Sequence, residues 1–149
     1  MRLALYQPDI PQNAGTMMRM AACLGIAVDL IEPAGFDASD RNLRRAGLDC
    51  LGHLSIERHV SFAAFDRARR EAGRRLVLAT TRGAVAHWDF AFADDDVVMV
   101  GRESAGVPDD VQALADARIV VPMREGLRSL NVAVAAAMIV GEALRQRRS

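Results

Sequence analysis

Short apolar runs recur along the chain, each followed by a stretch with helical spacing, and this alternation constrains the fold more than any other feature. The runs lie at 3–6, 28–31, 76–79, 97–100 and 119–121, with 54–57 a weaker candidate. A strand that is apolar at nearly every position must be covered on both faces, which is the condition of a mostly parallel sheet between two helical layers. Helices are predicted over 11–24, with Asn13 near the start and Gly25 just past the end, and from a cap at Ser39 through 45. Two more are predicted over 61–72, with Ser61 as cap and Gly73 at the end, and over 129–147 with Ser129 as cap. The expected class is α/β, a mostly parallel sheet with helices on both faces. The 149 residues, 51% hydrophobic, fit one domain over 1–149 and exclude a disordered chain.

Charge narrows the function classes. Nineteen basic and nineteen acidic residues cancel, and every basic one is Arg. A chain without Lys has neither a P-loop lysine nor a Schiff-base nucleophile. The neutral total hides strong local bias. Between Arg41 and Arg75 stand nine Arg against four acids, between Asp89 and Asp116 eight acids against one Arg, and after Ala117 six Arg against two Glu. Two basic segments and one acidic segment suit opposed faces, or complementary faces across a dimer. Cys23 and Cys50 form no CxxC, and His53, His59 and His87 lack ligand spacing, so no metal site is expected. Two thiols suit a reducing cytoplasm, the N-terminus does not read as a signal peptide, and the longest apolar run, 132–140, is about half of what a bilayer span needs.

In open parallel sheets ligands bind beyond the carboxyl ends of the strands. Here those ends read Gln7-Pro8-Asp9-Ile10-Pro11-Gln12-Asn13, Thr80-Thr81-Arg82-Gly83, Gly101-Arg102-Glu103-Ser104-Ala105-Gly106 and Pro122-Met123-Arg124-Glu125-Gly126. Gly15 and Arg19 follow the first loop at i and i+4, so backbone access and a guanidinium share one helix face; a capped helix with a solvated Arg fits the same spacing. In the second motif, 101–108, two glycines bracket Glu103 between a strand and a helix. An ordinary turn fits, and so does a carboxylate that holds a ligand hydroxyl or pairs with Arg19. It is not the GxGxxG dinucleotide fingerprint, which argues against a nicotinamide oxidoreductase. The third, 122–131, ends on Ser129-Leu130-Asn131 before a helix that is apolar on every face at 132–140. Such a helix is either central to the core or shared with a partner subunit.

Three motifs in this order, Asn13-x-Gly15-x-x-x-Arg19, Gly101-x-Glu103-x-x-Gly106-x-Pro108 and Val121-Pro122-Met123 with Ser129-Leu130-Asn131, resemble those of the SPOUT superfamily of methyltransferases. The resemblance spans nearly the whole chain and implies a C-terminal deep trefoil knot, which periodicity alone does not predict. The short chain, with no appended RNA-binding domain expected, is similar to the minimal subgroup that methylates the ribose 2′-oxygen of the wobble nucleotide, cytidine or modified uridine 34, in bacterial leucine tRNAs. The wording of 3–13, 31–36 and 43–49 is close to that subgroup. Members that act on other RNA, and a non-catalytic RNA-binding module on the same fold, are the competing expectations.

The resemblance implies a cytoplasmic homodimer that uses S-adenosylmethionine and binds tRNA, with no metal and no membrane. It assigns the cofactor to Ala79, Thr80, Gly101, Glu103, Val121, Met123, Ser129 and Leu130. Arg19 is implied at the reacting hydroxyl, with Asn13, Glu103, Ser129 and Asn131 orienting it and the substrate. A guanidinium is too basic to accept a proton, so Arg19 is expected to stabilise the developing alkoxide or to hold ribose and phosphate. Arg41, Arg44 and Arg45, with Arg58 nearby, form the expected phosphate surface, and Arg82, Arg124 and Arg128 lie nearer the site. Over 61–72, Phe62, Phe65 and Ala68 are expected to face the core, leaving Arg67, Arg69 and Arg70 to solvent. Trp88 is expected to stack on a base or simply pack, and His87 to be structural. The last helix departs from better-known members: 131–134 reads Asn-Val-Ala-Val and Gly141 stands where some carry Tyr.

Overall fold

The computed structural model describes residues 1–45, 49–82, 84–127 and 129–147. Among the described residues seven strands form a single sheet: β1 (Arg2–Tyr6), β2 (Ala27–Ile31), β3 (Ile56–His59), β4 (Leu76–Ala79), β5 (Val85–Ala86), β6 (Val97–Val100) and β7 (Ala117–Val120). Their order is β3-β2-β1-β6-β4-β7-β5, and every pairing is parallel. Parallel neighbours need crossovers, and the helices supply them. These are α1 (Pro11–Leu24), α2 (Asp40–Arg45), α3 (Phe62–Glu71), α4 (Asp109–Ala113) and α5 (Val132–Arg147).

Side chains alternate across the sheet and meet a helical layer on each side. Leu3, Leu5, Val28, Leu30, Val98 and Val100 face α1 and α5, packing on Met17, Met18, Ala136 and Ile139. Ala4, Tyr6, Leu76, Leu78 and Met99 face the other way, onto Phe65 of α3 and Val111 of α4. Covering both faces is why the runs read as continuously apolar. The expected class therefore holds. α1 ends on Gly25 in the left-handed region, its N–H donating to Ala21 and Ala22 carbonyls, as the sequence predicted. Ser39 caps α2 through Asn42 N–H, and Ser61 caps α3 through Ala64 N–H.

Three expectations are corrected, and one strand, β5, is new. The third strand runs Ile56–His59 rather than 54–57: it is the edge strand, and what fixes it is pairing with β2 together with His59, whose buried ring bonds Asp29 at 2.9 Å. The two-residue β5 is too short to show periodicity. Ser129 does not cap the last helix. Asn131 does, its Oδ1 accepting from the N–H groups of Ala133 and Val134. Arg69 is not solvated. It is 5% exposed, bonded to Asp66, Asp116 and the carbonyls of Arg74 and Leu114.

α5 is covered only in part. Ala133, Ala136, Ile139, Val140 and Ala143 are buried, whereas Val134 is 50% and Met138 42% exposed. Among the described residues, no helix is long and apolar enough to cross a membrane.

Candidate functional site

The carboxyl ends of β1, β4, β6 and β7 point to one edge of the sheet, and the loops that leave them enclose a cleft of about 580 Å³. Ile10 and Asn13 come from the loop after β1 and the start of α1. Ala79 to Arg82 follow β4, Gly101 to Val107 follow β6, and Ser129 to Val132 lead into α5. A smaller recess of about 90 Å³ shares Ala79, Thr80, Thr81, Ser129 and Leu130 and is otherwise apolar, with Val121, Met123 and Ile139 in its wall. All eight residues expected at a cofactor thus line these two adjoining spaces, although Gly101 and Leu130 are more than a hundred angstroms of extended chain from Asn13 in sequence.

Two local devices shape the cleft. The turn after β6 closes on itself: Arg102 N–H donates to Gly106 O at 3.0 Å and Gly106 N–H returns to Arg102 O at 2.8 Å. A Cβ on Gly101 would stand 2.8 Å from the Gly106 carbonyl carbon, so only glycine permits so tight a turn. Gly106 itself has φ +63°. The second device is an amide bridge. Asn131 Nδ2 donates to Asn13 Oδ1 at 3.0 Å, tying the start of α5 to α1 while its own Oδ1 caps α5. Asn13, Glu103, Ser129 and Asn131 are therefore brought together.

Arg19 is not among them. Its side chain is 56% exposed and its Nη1 donates to Asp49 Oδ1 at 2.9 Å; Asp49 raises the guanidinium further above its already high range. The sequence left open a pair between Glu103 and Arg19. The structure instead sets Glu103 beside Asp9, the Glu103 backbone N–H donating to Asp9 Oδ1 at 3.3 Å. Burial, and then Asp9, push the Glu103 carboxyl above the ordinary glutamate range. Asp9 moves the other way, down to about 2, through its hydrogen bonds with Glu103 and Ser104. Glu103 Oε2 is buried with no hydrogen-bond partner among the described residues.

Of the expected phosphate ligands, Arg41, Arg44 and Arg45 are exposed on α2, Arg124 is exposed, and Arg82 is exposed at the cleft wall, 3.7 Å from Asp109. Arg58 is engaged by Asp40 at 2.7 Å. Arg128 lies outside the described residues. His87 is buried beside Trp88, which is exposed, and neither lines the cleft. Asp29, Glu57 and His59 place ligand atoms within 4.8 Å of one another. Arg2 donates to both carboxylates, which makes this an ion-pair network at β1–β3. Sequence reasoning gave no role to Asp9, Ser104 or Asp49. Their partners lie far along the chain, and no spacing encodes such pairs.

Comparison with known proteins agrees with this geometry. The model of the SpoU rRNA Methylase family matches residues 1–141. A protein of Ancylobacter novellus named tRNA (cytidine(34)-2′-O)-methyltransferase is 65% identical over 144 residues, 97% of this chain and 91% of that one. A solved structure described by "2-OH methylation of C/U34 on tRNA" superposes with TM-score 0.90 at 42% identity, covering 99% of this chain and 95% of its own. The SpoU methyltransferase AviRb from Streptomyces viridochromogenes, solved in complex with the cofactor AdoMet, gives TM-score 0.86 at 31% identity, covering all of this chain and 58% of that one.

Proposed function

The chain belongs to the SpoU rRNA Methylase family, and from that premise we propose that it methylates the ribose 2′-oxygen of the wobble nucleotide, cytidine or modified uridine 34, of leucine tRNAs. The observation that carries this reading is the convergence of three distant segments, around Asn13, Glu103 and Asn131, on one cleft. That the Ancylobacter novellus relative carries this reaction in its name supports it.

Bound S-adenosylmethionine supplies a methyl group already activated on a sulfonium. The residues present fit it: a cleft of about 580 Å³ adjoins a mostly apolar recess, and a buried Glu103 oxygen lacks a hydrogen-bond partner among the described residues. Ala79, Thr80, Gly101, Glu103, Val121, Met123, Ser129 and Leu130 are the residues to hold it, largely through backbone groups of the loops.

The rest of the chemistry is positioning. Asn13, Ser129 and Asn131 offer amide and hydroxyl groups at the cleft wall to orient the ribose. Arg19 keeps its proton and stabilises charge as the 2′-hydroxyl ionises, or grips a neighbouring phosphate. To do so it must leave Asp49. Both partners are exposed, and an exposed ion pair is easily traded for another. Arg41, Arg44, Arg45, Arg82, Arg124 and Arg128 hold the anticodon stem-loop by its phosphates. The exposed Val134, Ala137, Met138 and Gly141 form a stripe along α5 that serves a homodimer, and the enzyme works in the cytoplasm. Sedimentation velocity tests the dimer: Met138→Glu is expected to sediment as a monomer.

The reaction is tested with labelled S-adenosylmethionine and total tRNA from a strain lacking the enzyme, followed by digestion to locate 2′-O-methyl nucleotides. Label at the wobble ribose of leucine tRNA is the expected result, and Arg19→Lys is expected to lose turnover at unchanged cofactor affinity. Label confined to other RNA refutes the substrate. Absence of both label and cofactor binding refutes the enzyme in favour of a non-catalytic RNA-binding module.

A further inference from the structure

Arg102 leaves the closed turn after β6 and stands in the wall of the cleft, where its guanidinium lacks a hydrogen-bond partner. Among the described residues that line the cleft, Arg82, Arg102 and Glu103 are the charged ones. Arg82 is exposed and leans toward Asp109. Arg102 is half-buried. Its Nε is buried and bonds to nothing among the described residues, and its two Nη groups find no acceptor there either. Asp9 Oδ2 lies 3.6 Å from Nε, too far for a hydrogen bond. That oxygen is already engaged by Ser104 Oγ at 2.5 Å, while the Glu103 backbone N–H donates to Asp9 Oδ1 at 3.3 Å. Asp9 therefore draws Arg102 by charge and leaves its N–H groups free.

The side chain also starts from a fixed point. Reciprocal backbone bonds join Arg102 and Gly106 at 3.0 and 2.8 Å, so the two residues pair as an antiparallel bridge. A long side chain held at its root loses less freedom on binding. A guanidinium presents five donors in a planar fork, and a sheltered fork without acceptors is costly. Two oxygens in one plane answer it, as in a carboxylate or a phosphodiester. A hydroxyl or an amide carbonyl offers one oxygen and no charge.

We propose that Arg102 is an oxyanion-binding residue of the cleft, gripping a carboxylate or phosphodiester group of the ligand between its two Nη groups. The site belongs to the free protein, and only the source of the oxyanion rests on the methyltransferase reading. Two sources share this chemistry. S-adenosylmethionine ends in a carboxylate, and RNA brings a phosphodiester on each side of a reacting ribose.

Inorganic phosphate is the first probe. Guanidinium NMR of the 15N-labelled free protein follows the Arg102 Nε–H signal, identified by its loss in Arg102→Met, with the Arg82 signal as an exposed reference. The Arg102 signal is expected to move saturably and at lower phosphate than that of Arg82. A signal that stays put, or moves only in step with Arg82, overturns the proposal. Calorimetry with S-adenosylmethionine and filter binding with total tRNA then find the source in wild type, Arg102→Met and Arg102→Lys. Loss of the fork is expected to raise one of the two Kd values about tenfold or more. Lysine restores the charge without the bidentate grip and recovers only part of the loss. A raised Kd for S-adenosylmethionine assigns the carboxylate, and a raised Kd for tRNA alone assigns the phosphodiester. Unchanged values for both in a folded Arg102→Met overturn the proposal. If Arg102→Met does not fold, Arg102→Lys identifies the signal and the phosphate titration of the wild type decides. A protein that binds phosphate at Arg102 but neither S-adenosylmethionine nor tRNA would overturn the methyltransferase reading and leave the oxyanion site standing.

Discussion

The turn between β6 and α4 is a place where one methyl group can be weighed. In Gly101→Ala the new Cβ would sit 2.8 Å from the carbonyl carbon and 2.9 Å from the Cα of Gly106, and both obstacles are backbone. No side chain can swing aside, so the turn has to open. The bonds at risk are the reciprocal pair between Arg102 and Gly106. Two such bonds contribute about 1 kcal/mol each, and overpacking costs about 1–3 kcal/mol, so a penalty of about 2 kcal/mol falls on the closed turn. Residues 101–106 belong to neither core cluster, so the fold itself is spared most of it. If S-adenosylmethionine needs the closed turn, its Kd rises about 30-fold, at 1.4 kcal/mol per factor of ten. Isothermal titration calorimetry reads Kd, and a thermal melt checks that the variant is folded. A folded Gly101→Ala that binds as tightly as the wild type would refute the claim that this turn forms the cofactor wall.

Other perturbations test other links. A Cβ on Gly15 meets nothing within 4 Å, so Gly15→Ala in the middle of α1 is expected to stabilise the protein by about 0.5–1 kcal/mol in urea unfolding. If it also methylates tRNA normally, no ligand approaches the helix backbone there. Arg69→Met strands Asp116 and two carbonyls around a buried site and is expected to cost about 3 kcal/mol by the same measurement, against a few tenths at most for the exposed Arg70→Ala. Equal effects would show that Arg69 is not a buried anchor. Glu103 titrates above the glutamate range, so its contribution is full below about pH 4.3 and is lost as pH rises through its folded midpoint. Glu103→Gln, neutral throughout, is therefore expected to gain stability on the wild type as pH rises above the ordinary glutamate midpoint of about 4.3. Asp9 has the opposite slope, its contribution fading as pH falls from the ordinary aspartate midpoint of about 3.9 toward about 2.

The legible parts of this molecule were those with a local code. Runs such as 97–100 announce strands because burial on two faces leaves no polar position, and Gly25 and Ser61 mark helix ends by their own backbone and hydroxyl. The loops that wall the cleft were legible as well, because the carboxyl edge of a parallel sheet is fixed by topology. Arg69 was misread because its helical position says nothing of Asp116, which reaches it from just before β7. Asn131 was passed over for Ser129 as a cap: both are good cap residues, and only the register of α5 on α1 decides between them. Asp9 and Glu103 are the clearest case. Each stood in a quoted motif, yet their meeting depends on β1 lying beside β6, and no periodicity in the chain carries that pairing.

That same pairing has a consequence in time. Arg2 stands opposite Val97, so β1 is made early and its second neighbour late. At about 5–20 residues per second, β1 waits roughly 5–20 s for β6 during synthesis. Over that interval β2 and β3 can dock on one side, while the other edge of β1 offers unpaired backbone beside Leu3 and Leu5. The nascent chain then exposes an unpaired strand edge on the ribosome, and the strand that ends this exposure is the one that delivers Glu103 to the cleft.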